Sequence, residues 1–143
     1  MKKREKKEKE ASILQCGESC AANAFHTSRS FDLVPAMSGT IDLTDSVNIP
    51  DGKRAVIELV TATIRVPNGE TAHLRLSTNL GMHPSNLDFV LTPQGKINDQ
   101  EVLVATHAVR VYSDHDVMFH VERDNPETKG HAAIGISGYF VNV

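Results

Sequence analysis

The chain has 143 residues, of which 40% are hydrophobic and 23% charged; this composition excludes a largely disordered chain and predicts one globular domain. Six of its 15 basic residues and three of its 18 acidic residues lie in the first ten positions, which leaves a net charge of −6 on the remainder. Because phosphate contacts need a basic face, an acidic body of this kind excludes nucleic acid as an expected partner.

Residues 1–30 differ from the rest of the chain and predict an N-terminal arm that is flexible or partly helical. A charged start, MKKREKKEKE, is followed by small and polar residues without a strand-like run. We therefore divide the chain into this arm and a single β-sandwich domain over residues 31–143.

Cys16 and Cys20 are the only two cysteines of the chain. A structural zinc site would need two further ligands at a recognisable spacing, and no second cysteine pair exists. On a helix the two thiols would share one face, where they can pair with each other, crosslink two subunits or stay as plain thiols. These alternatives stay open, and both cysteines are candidates for an interface.

No part of the sequence is typical of a membrane span or of a secretory signal. A spanning helix needs about 18 consecutive apolar residues. A secretory signal needs an apolar stretch of about 7–15 residues after its basic start, and the apolar run that follows the basic start of this chain is shorter. We expect neither feature in this chain.

From Phe31 onward the sequence is typical of a β protein. Three Pro-x-Gly tripeptides, at residues 50–52, 67–69 and 93–95, predict turns, because proline presets φ and glycine accepts a positive φ. Runs of β-branched and alternating apolar residues predict strands over 31–34, 40–43, 53–66, 72–78, 86–92, 101–112, 117–123 and 132–143. We expect no helix after residue 30.

The predicted strands alternate between apolar and polar residues, as strands with one dry face do. In AHLRLST, for example, Leu74 and Leu76 point one way while His73 and Arg75 point the other. Seven or eight such strands must stack or close to bury their dry faces. We therefore predict an all-β fold, an antiparallel β-sandwich that is jelly-roll-like. The alternatives are a closed barrel and an immunoglobulin-like sandwich, whose Cys…Trp…Cys pattern is missing.

The stretch YSDHDVMFH, residues 112–120, is compatible with a metal site, an acid–base centre or a turn. Val109 and Val111 have the same parity as Val117 and Phe119. A β-hairpin would place Val111 opposite Val117 and Val109 opposite Phe119, with every apolar partner on one side. We favour this hairpin over the other two interpretations.

Asp114, His115 and Asp116 are the candidate metal ligands, and they are less favoured as ligands than as the tip of the hairpin. Aspartate at a turn bonds its own backbone, and adjacent residues at a tip rarely supply enough ligands for an ion. The remaining histidines are scattered, and no H-E-x-x-H motif is present. We expect no cofactor, with a surface calcium ion at this tip as the alternative.

The sequence contains no pattern that predicts a catalytic residue. A G-x-S-x-G nucleophile elbow, a P-loop and a dinucleotide fingerprint are all missing. A glycosidase needs two facing carboxylates, and Glu58 and Glu122 are the strand carboxylates available for that role. A small hydrolase with surface carboxylates is therefore the least favoured hypothesis.

Three segments, IPDGKRAVIELVTATIRVPNGE, THAVRVYSDHDVMFHVERDNPETKG and IGISGYFVNV, carry a resemblance over about residues 46–143. In these segments the chain is similar to a set of small bacterial proteins, often exported. Those proteins have a Pro-x-Gly-Lys-Arg turn before a VIE strand, an RVYxD strand end and a closing ISGY strand. The resemblance implies a β-sandwich placed outside the cell or at its surface, and it implies no catalytic residues.

The function that the sequence favours is a non-catalytic β-sandwich module that acts by binding or assembly. The arm and the edge strands of a sandwich can both mediate self-association, and the arm's apolar anchors would be Phe25, Phe31, Leu33 and Val34. The ligand of a binding module would be a glycan or a protein. A carbohydrate-binding module is the alternative by analogy of fold, although the chain has no Trp and only two Tyr.

Overall fold

A computed structural model describes residues 23–33, 38–124 and 129–143 of the chain. These residues form nine strands and one short helix. The elements are β1 (Ala24–Leu33), β2 (Ser38–Asp42), α1 (Thr44–Val47), β3 (Lys53–Pro67), β4 (Ala72–Leu80), β5 (His83–Phe89), β6 (Thr92–Ile97), β7 (Gln100–Ser113), β8 (Val117–Arg123) and β9 (Gly130–Asn142). Within the described ranges no helix is long and apolar enough to cross a membrane.

The strands form two antiparallel sheets. The five-stranded sheet has the order β1-β9-β3-β7-β6, and the four-stranded sheet has the order β2-β8-β4-β5. Without β6, each sheet alternates strands from the two halves of the chain, which is the double Greek-key order of a jelly roll. The predicted all-β sandwich of the jelly-roll type is therefore confirmed, and β6 extends one sheet beyond the eight strands of that fold.

The core lies between the two sheets and consists of the inward residues of each strand. Phe119 on β8 is its largest fully buried side chain, and Ile57, Ile64, Leu74 and Ile134 are buried around it. Burial of each such side chain stabilises the fold by about 1.5–3 kcal/mol relative to leaving it exposed to water. The period-two alternation that predicts dry strand faces is confirmed along β4, along β8 and, in β3, from Val60 to Val66.

The first strand begins earlier than predicted. A strand was expected over 31–34, but β1 starts at Ala24 and pairs with β9 from Ala24 to Leu33. Its first seven residues, AFHTSRS, include few apolar ones because β1 is an edge strand whose outward side faces water. Pairing with β9 supplies the backbone hydrogen bonds of this strand, and the local sequence gives no sign of that pairing. Val34 lies outside the described residues.

The predicted hairpin over residues 112–120 is wrong. β7 belongs to the five-stranded sheet and β8 to the four-stranded sheet, so the chain crosses between sheets here. Val111 pairs with Ile57, and Val117 pairs with Thr78. Matching parity shows which side chains face the core, but it does not distinguish two paired strands from two strands that face each other across the core.

Two of the three Pro-x-Gly turns are confirmed, and the third is wrong. The N–H of Lys53 donates to the carbonyl of Pro50 at 3.1 Å, and the N–H of Glu70 donates to the carbonyl of Pro67 at 3.1 Å. The third tripeptide lies inside β6, where the register with β7 shifts between Pro93 and Gly95 as in a β-bulge. The strand predicted over 86–92 overlaps β5 at residues 86–89, whereas β6, which belongs to the other sheet, was not predicted as a separate strand.

One turn of helix, α1, follows β2, although no helix was expected there. Four residues are too few to show helical periodicity, which explains the miss. The turn between β6 and β7 was not predicted either. It uses Asn98 and Asp99, with φ of 51° and 62°, as a two-residue hairpin turn with both central residues at positive φ requires.

The central strand β3 carries an irregularity that affects both of its neighbours. Its register with β7 and with β9 shifts between Ile57 and Leu59, so Glu58 stands at a bulge. Gly138 of β9 lies opposite, and a Cβ atom there would overlap the carbonyl oxygen of Val56. Only a residue without a side chain allows β9 to approach β3 this closely.

Candidate functional site

The crossover between β7 and β8 is held by the side chain of Asn79, at the end of β4. Its Oδ1 accepts hydrogen bonds from the backbone N–H of Asp116 at 2.7 Å and of His115 at 3.2 Å. The hydroxyl of Ser113, which is fully buried, donates to the carbonyl of Asp116 at 2.5 Å. The crossover is therefore a structural connection in which Asn79 of β4 satisfies two backbone N–H groups and Ser113 of β7 satisfies a backbone carbonyl.

The side chains of Asp114, His115 and Asp116 make separate contacts. Asp114 accepts from Nε of Arg54 at 2.6 Å and from the N–H of Gly81, and the Arg54 hydrogen bond, followed by that of Gly81, lowers the pKa of Asp114. The Nδ1 atom of His115 lies 2.7 Å from Oδ1 of Asp116, a hydrogen bond that raises the pKa of His115. The three side chains do not converge on a common point.

No group of three or more His, Cys, Asp or Glu in the described part of the chain is placed to hold a metal ion. At the crossover this follows from the contacts already given, since Asp114 is bound to Arg54 and Gly81. Cys16 and Cys20 lie outside the described residues.

The two strand carboxylates, Glu58 and Glu122, lie on opposite outer surfaces of the sandwich. Glu58 is exposed on β3 of the five-stranded sheet, and Glu122 is exposed on β8 of the four-stranded sheet. The core separates the two carboxylates, so they cannot flank one glycosidic bond. The hydrolase hypothesis therefore loses the carboxylate pair on which it depended.

The outer face of the four-stranded sheet is polar and charged. Arg75 and Asp88 form an exposed ion pair there, with 2.7 Å between Nε and Oδ1. These two residues, together with His73, His120 and Glu122, line a shallow depression of about 290 Å³. Exposed pairs of this kind contribute little to stability because solvent screens their charges. This face has the character of a solvated surface.

Three of the residues predicted as interface anchors pack within their own domain. The rings of Phe25 and Phe140 stack with 4.9 Å between their centroids. Leu33 is part of the core, and Phe31 packs against it from β1. These side chains fix β1 to the sandwich.

The outer face of the five-stranded sheet has a different character. Register places twelve outward residues in three cross-strand rows over four strands. The residues are His26, Ser28 and Ser30 of β1, Ser137, Gly135 and Ala133 of β9, Leu59, Thr61 and Thr63 of β3, and Ala108, Thr106 and Val104 of β7. None is Asp, Glu, Lys or Arg. We call this surface the uncharged face.

Charged residues border the uncharged face at both ends. Glu58 and Arg110 stand above it, and Asp32 and Arg65 stand below it. Beyond Glu58 and Arg110, Ala24, Tyr139, Val56 and Tyr112 form a further row in register across the same four strands. Val56 is only 1% exposed although it points outward from the core, and the two tyrosines flank it.

The uncharged face was not predicted from the sequence. The signal is present in the outward positions of VTAT, residues 60–63, and AAIGIS, residues 132–137, which carry Thr, Ala, Gly and Ser where a solvated strand would carry charge. It becomes visible only when the register aligns these positions from four strands. Each strand alone contributes three residues, which is too few to stand out.

A cleft opens between the two sheets beside β7. Strand β6 pairs with β7 only up to Val104, and β7 continues to Ser113. Within the described residues no strand pairs with the far side of β7 beyond Val104. The cleft beside this edge has a volume of about 430 Å³. Its apolar lining comes from Leu80, Leu87, Val109 and Val111, together with the ring of Tyr112.

No protein-family model matches the chain, and no curated protein matches it. Among solved structures the chain is similar to the cyanophage Pam1 capsid asymmetric unit, at 13% identity and a TM-score of 0.43, over 82% of this chain and 84% of that chain. It is also similar to the virus-like particle of the extra small virus of the giant freshwater prawn Macrobrachium rosenbergii, at 9% identity and a TM-score of 0.32, over 80% and 79%.

A third similar structure is the decameric BFDV capsid protein, at 9% identity and a TM-score of 0.34, over 82% of this chain and 96% of that chain. At these TM-scores the likenesses carry no argument about what the chain does. The assignment to the jelly rolls rests on the strand order.

Proposed function

We propose that this protein is a non-catalytic β-sandwich subunit that assembles with copies of itself through the uncharged face. The observation that carries the proposal is the contrast between the two outer surfaces. The twelve outward positions of the uncharged face hold no Asp, Glu, Lys or Arg, whereas the opposite surface carries Arg75, Asp88 and Glu122. The centres of protein interfaces are depleted in charged residues in this way.

The size of the surface fits a second copy. Strands lie about 4.8 Å apart and rise about 3.3 Å per residue, so the uncharged face itself covers roughly 300 Å², and the four strands cover roughly 500 Å² when the Glu58 and Arg110 border and the Val56 row are included. Two copies in contact over this larger area would bury about 1,000 Å², the lower bound for a specific interface. Sheets stack about 10 Å apart, and the small side chains of this face permit that approach.

The charges on β3 at the two ends of the face are complementary under two-fold symmetry. Glu58 and Arg65 are equally distant from the centre of the face, near Thr61 and Thr63. Consider a two-fold axis that lies between two stacked sheets and runs perpendicular to their strands. It places Glu58 of the first copy over Arg65 of the second, and Arg65 of the first copy over Glu58 of the second. Such self-complementarity is what a symmetric dimer interface requires.

The test is the mass in solution, measured by size-exclusion chromatography with light scattering. Thr106 is exposed on the uncharged face, and Thr40 is exposed on the outer face of the four-stranded sheet. We expect an oligomer for the wild type, a monomer for Thr106→Lys and an unchanged oligomer for the matched control Thr40→Lys. A wild-type chain that is monomeric at every concentration, or a Thr106→Lys variant that keeps its mass, would refute the proposal.

Carbohydrate binding is a second candidate, favoured by one observation. Tyr112 and Tyr139, the only tyrosines of the chain, lie on one surface on either side of Val56. Tyr112 is 41% exposed and Tyr139 is half-buried, and two aromatic rings on one surface can receive the apolar face of a sugar. A glycan array would show binding that is lost in Tyr112→Ala, and an array without wild-type binding would exclude this function.

A further inference from the structure

One residue of the uncharged face can gain a charge. His26 is the only titratable side chain among the twelve outward residues of this face, and it is exposed on β1. Histidine becomes positively charged as the pH falls below about 6.5. Asp32 stands near the other end of the same strand and points to the same side, because strand residues an even number apart share a face. The charge of this surface therefore depends on pH at one position.

The two-fold arrangement determines which residue of the second copy lies over each position of β1. On β3 the axis passes near Ala62, with Arg65 on one side and Glu58, displaced by the extra residue of the bulge, on the other. Ala62 and Arg29 both pair with Ile134 of β9, so they lie at the same level of the sheet. An axis that runs across the strands at this level crosses β1 at Arg29.

We propose that mild acid strengthens the assembly, because His26 of each copy, once protonated, pairs with Asp32 of the other copy. His26 and Asp32 lie three residues before and three residues after Arg29, so the axis exchanges their positions. Each dimer therefore contains two such pairs, and each pair is complete only when both copies are present. This inference rests on the proposed function and adds to it a regulation by pH.

Asp32 is well placed to receive a second imidazole. Its Oδ1 atom lies 3.1 Å from Nδ1 of His131 on β9, and its side chain is 89% exposed, which leaves Oδ2 accessible to a donor from another copy. β1 is the outermost described strand of its sheet, so the new pair lies at the rim of the interface. Charges at a rim stay in contact with water, and the cost of desolvating them is small compared with that of a buried pair. The attraction between the two side chains therefore outweighs this cost.

The other charges near His26 do not reverse this effect. Of the described elements that pack against β1, α1 carries Asp45 and β9 carries His131 and Tyr139. Phenol groups stay neutral in mild acid. Arg29, on β1 itself, points to the opposite side of the strand and donates to the carbonyl of Asp42 at 3.5 Å. In the second copy, His131 stands beside Asp32 and already bonds its Oδ1 atom, so this carboxylate joins the two imidazoles through its two oxygens.

The test is the dissociation constant of the full-length protein, measured by sedimentation equilibrium at about pH 8 and about pH 5.5, where aspartate stays charged and histidine changes its charge. We expect the wild type to associate about tenfold more tightly at the lower pH, as two partly exposed ion pairs would produce. His26→Gln should lose most of this change. His26→Lys carries a permanent charge, so its dissociation constant at the higher pH should be close to its value at the lower pH.

His73→Gln is the matched control. His73 is exposed on the outer face of the four-stranded sheet, so this variant removes a titrating imidazole outside the proposed interface and should keep the full response to pH. A wild-type oligomer that does not tighten in acid, or a His26→Gln variant with the same response as the wild type, would overturn this inference and leave assembly through the uncharged face standing. A wild type that is monomeric at both pH values would overturn both, so the two failures are distinguishable.

Discussion

The Nε atom of Arg54 lies 2.6 Å from Oδ1 of Asp114, and this ion pair ties the start of β3 to the crossover between the two sheets. Oδ2 of the same carboxylate accepts the N–H of Gly81, in the turn after β4. Asp114 thus connects three segments drawn from both sheets. A residue that parity alone would place at the tip of a hairpin instead joins the two layers of the sandwich.

Replacing Asp114 by Asn should lower stability in a way that depends on pH. The hydrogen bonds from Arg54 and Gly81 hold the pKa of Asp114 below its usual range. A carboxyl group with a lowered folded-state pKa stabilises the fold above its unfolded-state pKa, about 3.9, and this contribution is lost as the pH falls through the folded-state pKa. We expect Asp114→Asn to cost about 1 kcal/mol at neutral pH.

Thermal unfolding followed by circular dichroism from neutral to acidic pH measures this effect. The difference in Tm between the wild type and Asp114→Asn should shrink as the pH falls through the folded-state pKa of Asp114. Asp51→Asn, in an exposed turn, is the control and should stay close to the wild type across the range. A difference in Tm that is constant with pH would contradict the assigned role of the Asp114 charge.

Gly138→Ala should be strongly destabilising, because the new Cβ atom would overlap the backbone carbonyl of Val56 in the neighbouring strand. A backbone atom in the middle of a sheet cannot rotate away as a side chain can, so we expect a loss of about 3 kcal/mol or more. Gly39→Ala is the matched control, since its Cβ would meet only Cδ2 of Leu33 at an ordinary 3.5 Å. Urea unfolding compares the two variants, and equal midpoints would show that β9 can move away from β3.

Phe119→Ala tests the position of the core. Phe119 is fully buried between the sheets, and its truncation should lower the free energy of unfolding by about 3–5 kcal/mol. Met82 is 96% exposed, so Met82→Ala should change the free energy of unfolding by less than about 0.5 kcal/mol. Chemical denaturation provides both values, and similar values for the two variants would be incompatible with a core centred on β8.

Charge exchange at Glu58 and Arg65 tests the symmetry of the proposed assembly. Glu58→Arg alone places like charges opposite each other in the two-fold arrangement and should shift the oligomer toward monomer. The double variant Glu58→Arg/Arg65→Glu restores the complementarity and should restore the oligomer. Light scattering decides, and a double variant that stays as dissociated as the single variant would exclude the two-fold arrangement, though not assembly itself.

Much of the fold could be predicted because burial in a strand is a local, period-two property. The inward residues of β4 and β8, such as Leu74 and Phe119, can be recognised from their immediate neighbours. Pairing is not local, which is why Val111 and Val117 were assigned to one hairpin although they belong to different sheets. The polar first half of β1 escaped prediction for the same reason, because its partner β9 lies about a hundred residues away.

The candidate surface was harder to predict than the fold. Thr61, Thr106 and Gly135 are unremarkable in sequence, and they become a shared surface only through the register of β3, β7 and β9. The candidates that sequence did provide, Asp114, His115 and Asp116, attract attention by residue type. Their contacts show that these polar groups form the hydrogen bonds that hold the crossover between β7 and β8.

The proline at the bulge of β6 has a consequence for behaviour at high concentration. Pro93 and Pro84 lie in β6 and β5, the two outermost strands on this side of the molecule. Proline lacks the N–H that a new strand would need, so both rims are poor templates for continued edge-to-edge growth. The chain should therefore resist fibre formation by strand addition at these two edges.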